Sequence, residues 1–175
     1  MGKKEIIFKT KWFNLESEEY KELPAFGGKP FYRINMPRTI AVLALTIDGK
    51  VIFVRQFRPA INRYTFELPA GYIEKGEAPE RAASREFYEE TGYRCRKLHF
   101  LGVRSHGVDR LRDAAFIYFG RGAVKDKNFS KEAGVEIAPL ALKEARRMVK
   151  RGELKGMFSL GIILLAKWML NPKEL

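Results

Sequence analysis

The 175-residue sequence contains one cysteine, Cys95, and two histidines. A single cysteine cannot form an intramolecular disulfide, so nothing in the sequence points to an oxidising compartment. The histidines are too few, and lie in the wrong places, for a zinc site. These scarcities exclude a disulfide-rich secreted domain and a zinc-binding module.

Long apolar segments, internal repeats and a signal sequence are also missing. The most apolar run, residues 157–170, contains Lys167, is too short to span a bilayer and suits a buried C-terminal helix. The N-terminus begins with charge but lacks the apolar segment and cleavage site of a signal peptide. We therefore expect a cytoplasmic protein without a membrane partner.

Acidic residues are outnumbered by basic ones, at 21 against 33, which gives a formal net charge of +12. Such an excess attracts polyanions, so nucleic acid is one candidate partner. The basic residues are spread along the chain, which fits a charged, soluble surface equally well. A small phosphate-bearing substrate would benefit from the same field, so charge alone does not choose among these partners.

The hydrophobic pattern predicts an α/β protein with a mixed sheet covered by helices and a small β segment in front of it. A boundary at residues 36–37 separates the N-terminal segment, residues 1–37, from the main domain, residues 38–175. Strands are predicted at residues 5–13, 31–35, 39–46, 51–56, 64–68, 97–104 and 113–119. Helices are predicted at residues 79–91, 142–151 and 158–170.

Turn and cap residues indicate where some of these elements end. Asp48 and Gly49 tolerate positive φ and predict a hairpin turn between two apolar strands. Pro79 suits the first turn of a helix, and Gly92 suits the position just past a helix end.

Three glutamates, Glu86, Glu89 and Glu90, lie on the predicted helix at residues 79–91. At 100° per residue they share an arc of about 100° of the helix surface. Crowded carboxylates repel each other, and a bound cation removes that cost. Oxygen ligands without nearby histidine or cysteine favour Mg²⁺ or Mn²⁺. The alternative is a solvated acidic helix face.

Residues 71–93 resemble the Nudix box at every specified position. The matching residues are Gly71, Glu77, Arg85, Glu86, Phe87, Glu89, Glu90, Gly92 and Tyr93. The resemblance implies a Nudix-type α/β/α sandwich in which a loop–helix–loop holds one to three divalent ions, with Mg²⁺ as the cofactor and Mn²⁺ as a substitute.

The resemblance also implies roles for individual residues. Glu86 and Glu90 match the principal metal ligands, and Glu89 matches a further ligand that acts directly or through water. Ala70, just before the box, corresponds to a residue that supplies a backbone carbonyl to the metal. Arg85 corresponds to a residue that, together with Glu77, orients the loop and the carboxylates by ion pairing.

Residues 54–60 and 66–71 resemble the ADP-ribose pyrophosphatase branch of this family, which also contains nucleoside-diphosphate-sugar hydrolases. The resemblance implies that Arg58 contacts the diphosphate, with Arg55 and Gln56 as further candidates for the same pocket. A guanidinium offers a fork of donors that suits a diphosphate. The alternative for Arg58 is a surface ion pair on an edge strand.

In that branch a small N-terminal β domain pairs with its mate in a homodimer and supplies aromatic side chains that stack on the base. The resemblance therefore implies a homodimer here. The candidate aromatics are Trp12, Phe13, Phe31 and Tyr32, and each of them also suits a core position.

The branch places a catalytic glutamate in a late loop, and the resemblance makes Glu136 the first candidate for this base. Glu132 is a second candidate, and Asp109 and Asp113 are reserves. The chain departs from the branch after the box, where residues 105–107 read Ser-His-Gly in place of Ser-Pro-Gly.

The expected reaction is metal-dependent hydrolysis of a nucleoside diphosphate derivative, foremost ADP-ribose to AMP and ribose 5-phosphate. Other substrates within the same class are a nucleotide sugar, an oxidised nucleoside triphosphate, a dinucleoside polyphosphate or an RNA 5′ end. A nucleic-acid-binding Nudix module is the alternative from another class, although a binding module has no need for three crowded glutamates.

Overall fold

The structure is a computed structural model that describes residues 4–22, 24–130 and 134–171. The chain divides into two compact units. The first unit comprises Met1–Thr39 and Val103–Ala115, and the second comprises Ile40–Gly102 and Phe116–Leu175.

In the described part of the chain, seven strands precede the first helix, five strands follow it, and two helices come last. The strands are β1 (Lys4–Lys9), β2 (Asn14–Glu19), β3 (Pro30–Asn35), β4 (Thr39–Thr46), β5 (Val51–Arg58), β6 (Arg63–Glu67), β7 (Ala70–Tyr72), β8 (Tyr93–Arg94), β9 (Leu98–Arg104), β10 (Leu111–Arg112), β11 (Ala115–Lys125) and β12 (Val135–Leu140). The helices are α1 (Pro79–Thr91), α2 (Leu142–Lys150) and α3 (Met157–Met169). Short 3-10 turns lie at Pro24–Phe26 and Pro59–Ile61.

The first unit contains a sheet with the strand order β1-β2-β3-β10. Its first three strands are antiparallel, and β10 runs parallel to β3. The single strand predicted at residues 5–13 was wrong, because β1 ends at Lys9. The hydroxyl of Thr10 accepts hydrogen bonds from the backbone N–H groups of Trp12 and Phe13, which closes a turn into β2.

Strand β2 was missed because its sequence is polar. Two of its glutamates, Glu16 and Glu18, are nevertheless buried. Both carboxylates form ion pairs with Arg33 on the neighbouring strand, at 3.1 and 2.7 Å. Burying a carboxylate is tolerated only when such partners compensate its charge, and a pattern of apolar residues cannot reveal this.

The second unit contains a sheet with the main strand order β12-β5-β4-β11-β8. Strands β6, β7 and β9 pair with β5, β4 and β11 respectively. The predicted hairpin between β4 and β5 is confirmed: Gly49 has a φ of 75°, and the N–H of Thr46 donates to the carbonyl of Lys50 at 2.9 Å. Strand β4 is buried along most of its length and forms the centre of the core.

Helix α1 begins and ends at the predicted residues. Pro79 occupies its first turn, and Gly92 ends it in the left-handed region with a φ of 68°. The N–H of Gly92 donates to the carbonyl of Tyr88 at 2.7 Å. A Cβ at Gly92 would also lie 2.4 Å from the ring of Phe129, so both the backbone and the packing require glycine there.

Phe87 anchors α1 in the core, with 1% of its surface exposed. It packs in one cluster with Ala82 and Ala83 of the same helix and with residues of β4. We expect Phe87→Ala to lower the free energy of unfolding by about 3–5 kcal/mol, because it removes a buried ring and leaves a cavity. Chemical denaturation measures this loss, with the half-exposed Phe100→Ala as the control that should lose much less.

Helix α3 was predicted to be buried, and this holds for only one of its faces. Ser159, Ile162 and Ala166, spaced by three and four residues, are buried, whereas Met157 and Trp168 are more than 70% exposed. The sequence could not show which face is buried, because nearly every position of the helix is apolar. No helix in the described ranges is long and apolar enough to cross a membrane.

Candidate active site

The acidic side of α1 faces a two-residue segment of β7. The backbone N–H of Ala70 donates a hydrogen bond to the Glu90 carboxylate at 3.1 Å. A Cβ added to Gly71 would lie 2.1 Å from the carboxyl carbon of Glu86. Because consecutive Cα atoms are only about 3.8 Å apart, both carboxylates contact the same short stretch of backbone. Two of the predicted metal ligands are therefore brought together at residues 70–71.

The close approach of Glu86 explains why residue 71 is a glycine. We expect Gly71→Ala to displace the Glu86 carboxylate and to reduce kcat/KM about tenfold or more, since carboxylate placement controls metal affinity. Steady-state hydrolysis, measured beside thermal melting, tests this. Gly161→Ala is the control, because a Cβ there meets nothing within 4 Å. Unchanged turnover in Gly71→Ala would show that the position of Glu86 does not matter for activity.

Arg85 organises the carboxylates around it. Its Nε and Nη2 donate to both oxygens of Glu77, at 2.9 and 2.8 Å. Its Nη1 donates to Glu86 at 2.9 Å and to Glu89 at 3.0 Å, and its Nη2 also donates to the carbonyl of Tyr72 at 3.1 Å. One guanidinium thus connects Glu77, in the loop before α1, to Glu86 and Glu89 on the helix. This arrangement suits a residue that orients the carboxylates.

Two of the carboxylates that Arg85 contacts have pKa values shifted in opposite directions. Hydrogen bonds from Arg85, and then from the N–H of Glu74, lower the pKa of Glu77 to about 2. Burial raises the pKa of Glu86, and the nearby charges of Glu89 and Glu77 add to this, although Arg85 opposes them. The charged form of Glu86 is therefore disfavoured by its surroundings, which a bound cation would reverse.

The donor chemistry of this cluster fits a hard divalent cation. Its donors are carboxylate oxygens, with the backbone of residues 70–71 beside them, which is the set that Mg²⁺ prefers. In the described part of the chain, however, no three Asp, Glu, His or Cys side chains already converge on one point. The reason is visible in the hydrogen bonds: Arg85 holds Glu86 and Glu89, while the N–H of Ala70 holds Glu90.

Arg58 lies at the end of β5 and pairs with Glu67 on β6. Its Nε donates to one carboxylate oxygen at 2.8 Å, and its Nη2 donates to the other. This pairing raises the pKa of Arg58, with a further contribution from the charge of Glu90. The charge of Glu90 in the box therefore contributes to the pKa of Arg58. Two nitrogens of the guanidinium, however, already donate hydrogen bonds to Glu67.

A cavity of about 480 Å³ opens beside this ion pair. Two further cations line it, Arg63 from β6 and Lys155 from the loop before α3. Neither residue was predicted from the sequence. Lys155 is far from the box in sequence. The packing of α3 brings it to the cavity, because the hydroxyl of Ser159 accepts a hydrogen bond from the N–H of Leu68.

The remaining candidate residues on β5 and β12 face each other across a strand pair. Arg55 is the register partner of Glu136, and its Nη1 donates to both carboxylate oxygens at 2.9 and 3.0 Å. The guanidinium also lies 4.2 Å from the ring centre of Tyr64. Gln56 is paired in the ladder with Val135 and Thr65. The assignment of Glu136 as the catalytic base stays a prediction.

The other candidate bases have different surroundings. Glu132 lies outside the described residues. Burial by itself would raise the pKa of Asp113, but hydrogen bonds from Ser105 and His106 lower it below its ordinary value. Asp109 lies with Asp113 in the first unit. Ser105, which matches the branch pattern, and His106, which departs from it, both form hydrogen bonds with Asp113.

The candidate aromatics of the first unit differ in exposure. Trp12 is 54% exposed and Tyr32 is 48% exposed, so both have surface left for a ligand. Phe31 instead packs edge-on against Tyr20, with their ring centres 6.0 Å apart, and against the guanidinium of Arg110. Phe13 lies beside Phe8. Stacking of any of these on a base stays a prediction.

In this mixed α/β domain, the glutamates of α1 face Gly71 on β7. A cavity lined by cationic side chains lies beside Arg58. Together these features suit the binding of a cation and a phosphate compound. Residues 37–156 match the family described as the NUDIX domain. The chain belongs to this family of hydrolases. Nudix hydrolases generally need a divalent metal ion, in agreement with the donor set described above.

The chain is also similar to individual proteins and to a solved structure. Over 156 residues the chain is 48% identical to ADP-ribose pyrophosphatase of Bacillus subtilis (strain 168), covering 86% of this chain and 83% of that protein. It is 30% identical to the methanol dehydrogenase activator of Bacillus methanolicus, covering 85% and 81% respectively. A solved structure described as an ADP compounds hydrolase has the same fold, with a TM-score of 0.76 at 18% identity over 95% of this chain and 90% of that chain.

Proposed function

We propose that this protein hydrolyses the diphosphate of ADP-ribose, giving AMP and ribose 5-phosphate. The observation that carries the proposal is the 48% identity, over most of both chains, to the ADP-ribose pyrophosphatase of Bacillus subtilis. The glutamates of α1 that contact residues 70–71 support it. An ADP-sugar is the nearest alternative substrate, since a mouse ADP-sugar pyrophosphatase is 39% identical over 51% of this chain.

We assign Mg²⁺ as the cofactor, held by Glu86, Glu89 and Glu90 with the carbonyl of Ala70. Bound there, the ion would neutralise diphosphate charge and lower the pKa of an attacking water. Arg85 keeps the carboxylates aligned through its hydrogen bonds to Glu77 in the loop and to Glu86 on α1.

Arg58, Arg63 and Lys155 offer cationic groups to the diphosphate from the neighbouring cavity. For Arg58 to do so with its whole fork, Glu67 must release it or share it. Arg55 and Gln56 complete the proposed substrate-binding set, and Glu136 would accept a proton from water if Arg55 releases it.

A panel of nucleotides tests the proposal. The purified protein with Mg²⁺ is given ADP-ribose, an ADP-sugar, a dinucleoside polyphosphate, an oxidised nucleoside triphosphate and RNA with a 5′ triphosphate, and the products are separated by chromatography. We expect the largest kcat/KM with ADP-ribose and equal amounts of AMP and ribose 5-phosphate. Faster cleavage of another compound would replace ADP-ribose as the substrate, and cleavage of none would refute the proposal.

We also propose a homodimer formed through β1. This strand is at the edge of its sheet, and all of its residues are exposed, including Ile6, Ile7 and Phe8 at about half of their surface. An exposed apolar edge strand has unpaired backbone groups and tends to pair with another chain. Light scattering should give twice the mass of one chain, and Ile6→Lys with Phe8→Lys should reduce it to one. Ile47→Lys, at an exposed turn, is the control that should remain a dimer.

The activator from Bacillus methanolicus raises a second role, in which a Nudix chain acts on a partner enzyme. Its identity of 30% is lower than that of the pyrophosphatase relative, so we place hydrolysis first. Binding to nucleic acid rests only on the net charge of +12. The cytoplasmic location stays a prediction.

A further inference from the structure

Arg58 and Glu67 form an ion pair although they are not register partners on their strands. The residue opposite Arg58 is Arg63, and the residue opposite Glu67 is Val54. Val54 and Arg58 are four residues apart on β5, which corresponds to about 13 Å along an extended strand. The side chains of Arg58 and Glu67 therefore reach toward each other along the sheet. Glu67 thus supplies an opposite charge to a strand end where two arginines face each other, an arrangement that is unfavourable by itself.

Glu67 is the more firmly held member of this pair. Its side chain is 18% exposed, against 46% for the side chain of Arg58. The backbone directly after Glu67 is also fixed: the N–H of Leu68 donates to a buried hydroxyl of α3 at 3.1 Å, and the carbonyl of Pro69 accepts a hydrogen bond from β4 at 2.9 Å. Arg58 is instead the last residue of β5, where a 3-10 turn begins. Glu67 is therefore suited to determine where the guanidinium of Arg58 lies.

The pairing uses only one edge of the Arg58 guanidinium. Its Nε and Nη2 donate to the two carboxylate oxygens of Glu67. A guanidinium has five N–H donors, so three remain, two on Nη1 and one on Nη2. One donor from each of these nitrogens forms a second parallel pair, which suits two oxygens of a phosphate. In the described part of the chain no acceptor takes these donors, and Arg58 lines the cavity of about 480 Å³.

We propose that Glu67 is a positioning residue that holds one edge of Arg58 and presents the other edge to the diphosphate of the substrate. The ion pair stays intact when the diphosphate binds. This inference rests on the proposed function, since it takes a diphosphate compound as the substrate. The alternative is that Glu67 competes with the diphosphate for Arg58, in which case removing its charge would strengthen binding. The direction of the change in affinity decides between the two.

Calorimetric titration measures this affinity directly. The ligand is an ADP-ribose analogue with a methylene group between its two phosphorus atoms, which resists hydrolysis, and Mg²⁺ is present throughout. We expect Glu67→Gln to raise the Kd about tenfold, because the amide oxygen can accept only one of the two hydrogen bonds and leaves the guanidinium free to turn. The melting temperature should change little, since glutamine keeps the shape of the side chain. Glu80→Gln removes the same charge at an exposed position of α1 and should leave the Kd unchanged.

A second substitution tests whether Glu67 acts through Arg58. Arg58→Lys keeps the positive charge, but an ammonium group has no second edge to be oriented. In that background Glu67→Gln should not raise the Kd further. An equal increase in Kd in both backgrounds, or an unchanged or lower Kd for Glu67→Gln alone, would overturn the inference.

Hydrolysis of ADP-ribose is measured separately on the unaltered protein. If the analogue binds but ADP-ribose is not hydrolysed, the proposed reaction is wrong, while the comparison of Kd values still decides the role of Glu67. If the unaltered protein does not bind the analogue, both the proposed function and the role of Glu67 are wrong.

Discussion

Glu90→Gln should lower kcat by at least about 100-fold and leave the melting temperature nearly unchanged. Replacing a residue that only hydrogen-bonds to a metal ligand already costs about 10–100-fold in metal affinity or activity. Glu90 is assigned as a ligand itself, so the loss should be larger. Glutamine keeps the shape of the side chain, and its amide oxygen can still accept the hydrogen bond from the N–H of Ala70. The substitution therefore removes charge while it preserves the contact between α1 and β7.

The matched control for this variant lies on the same helix. Glu80 is exposed in the first turn of α1, so Glu80→Gln makes the same chemical change away from residues 70–71. Turnover of the control should equal that of the unaltered protein. If Glu90→Gln instead melts at a clearly lower temperature and turns over normally, Glu90 serves the structure, and the metal set assigned to α1 is wrong.

Removing divalent metal should abolish hydrolysis of ADP-ribose. The donors near residues 70–71 are oxygens of carboxylates and backbone. Burial raises the pKa of Glu86, so a bound cation would stabilise its charged form. After dialysis against EDTA, we expect no product above background. Mg²⁺ should restore full activity and Mn²⁺ should substitute for it, because both are hard ions that accept oxygen ligands.

Zinc provides the control in this experiment. Because the site has no histidine or cysteine ligands, Zn²⁺ at equal concentration should restore little hydrolysis of ADP-ribose. Circular dichroism before and after dialysis separates loss of metal from loss of fold. Full turnover in a preparation shown to be free of metal would exclude the role proposed for the glutamates.

Much of the candidate site could be predicted because it is local in sequence. Residues three and four positions apart share a helix face, so the crowding of Glu86, Glu89 and Glu90 follows from their spacing alone. The ends of α1 at Pro79 and Gly92 follow from backbone preferences of single residues. The burial of Phe87 follows from its place on an adjacent face of the same helix.

Other features depended on partners that are distant in sequence. Strand β2 reads as polar, and only the ion pairs of Arg33 with Glu16 and Glu18 make its burial possible. Helix α3 reads as apolar throughout, and packing selected one face of it to bury. In both cases the composition of a segment was misleading because neighbours from elsewhere in the chain decided its environment.

The sequence by itself determined the helix that carries the glutamates, its caps, the hairpin at Asp48-Gly49 and membership of the Nudix family, because each depends on short-range spacing. Tertiary structure alone decided which charges on different strands pair with each other. The register of β5 with β12 sets Arg55 against Glu136, and the fold brings Arg58 at the end of β5 to Glu67 on β6. The packing of α3 brings Lys155 to the cavity beside Arg58. Ion pairs and cavities form between segments far apart in the chain, so their geometry exists only once the sheet and helices have assembled.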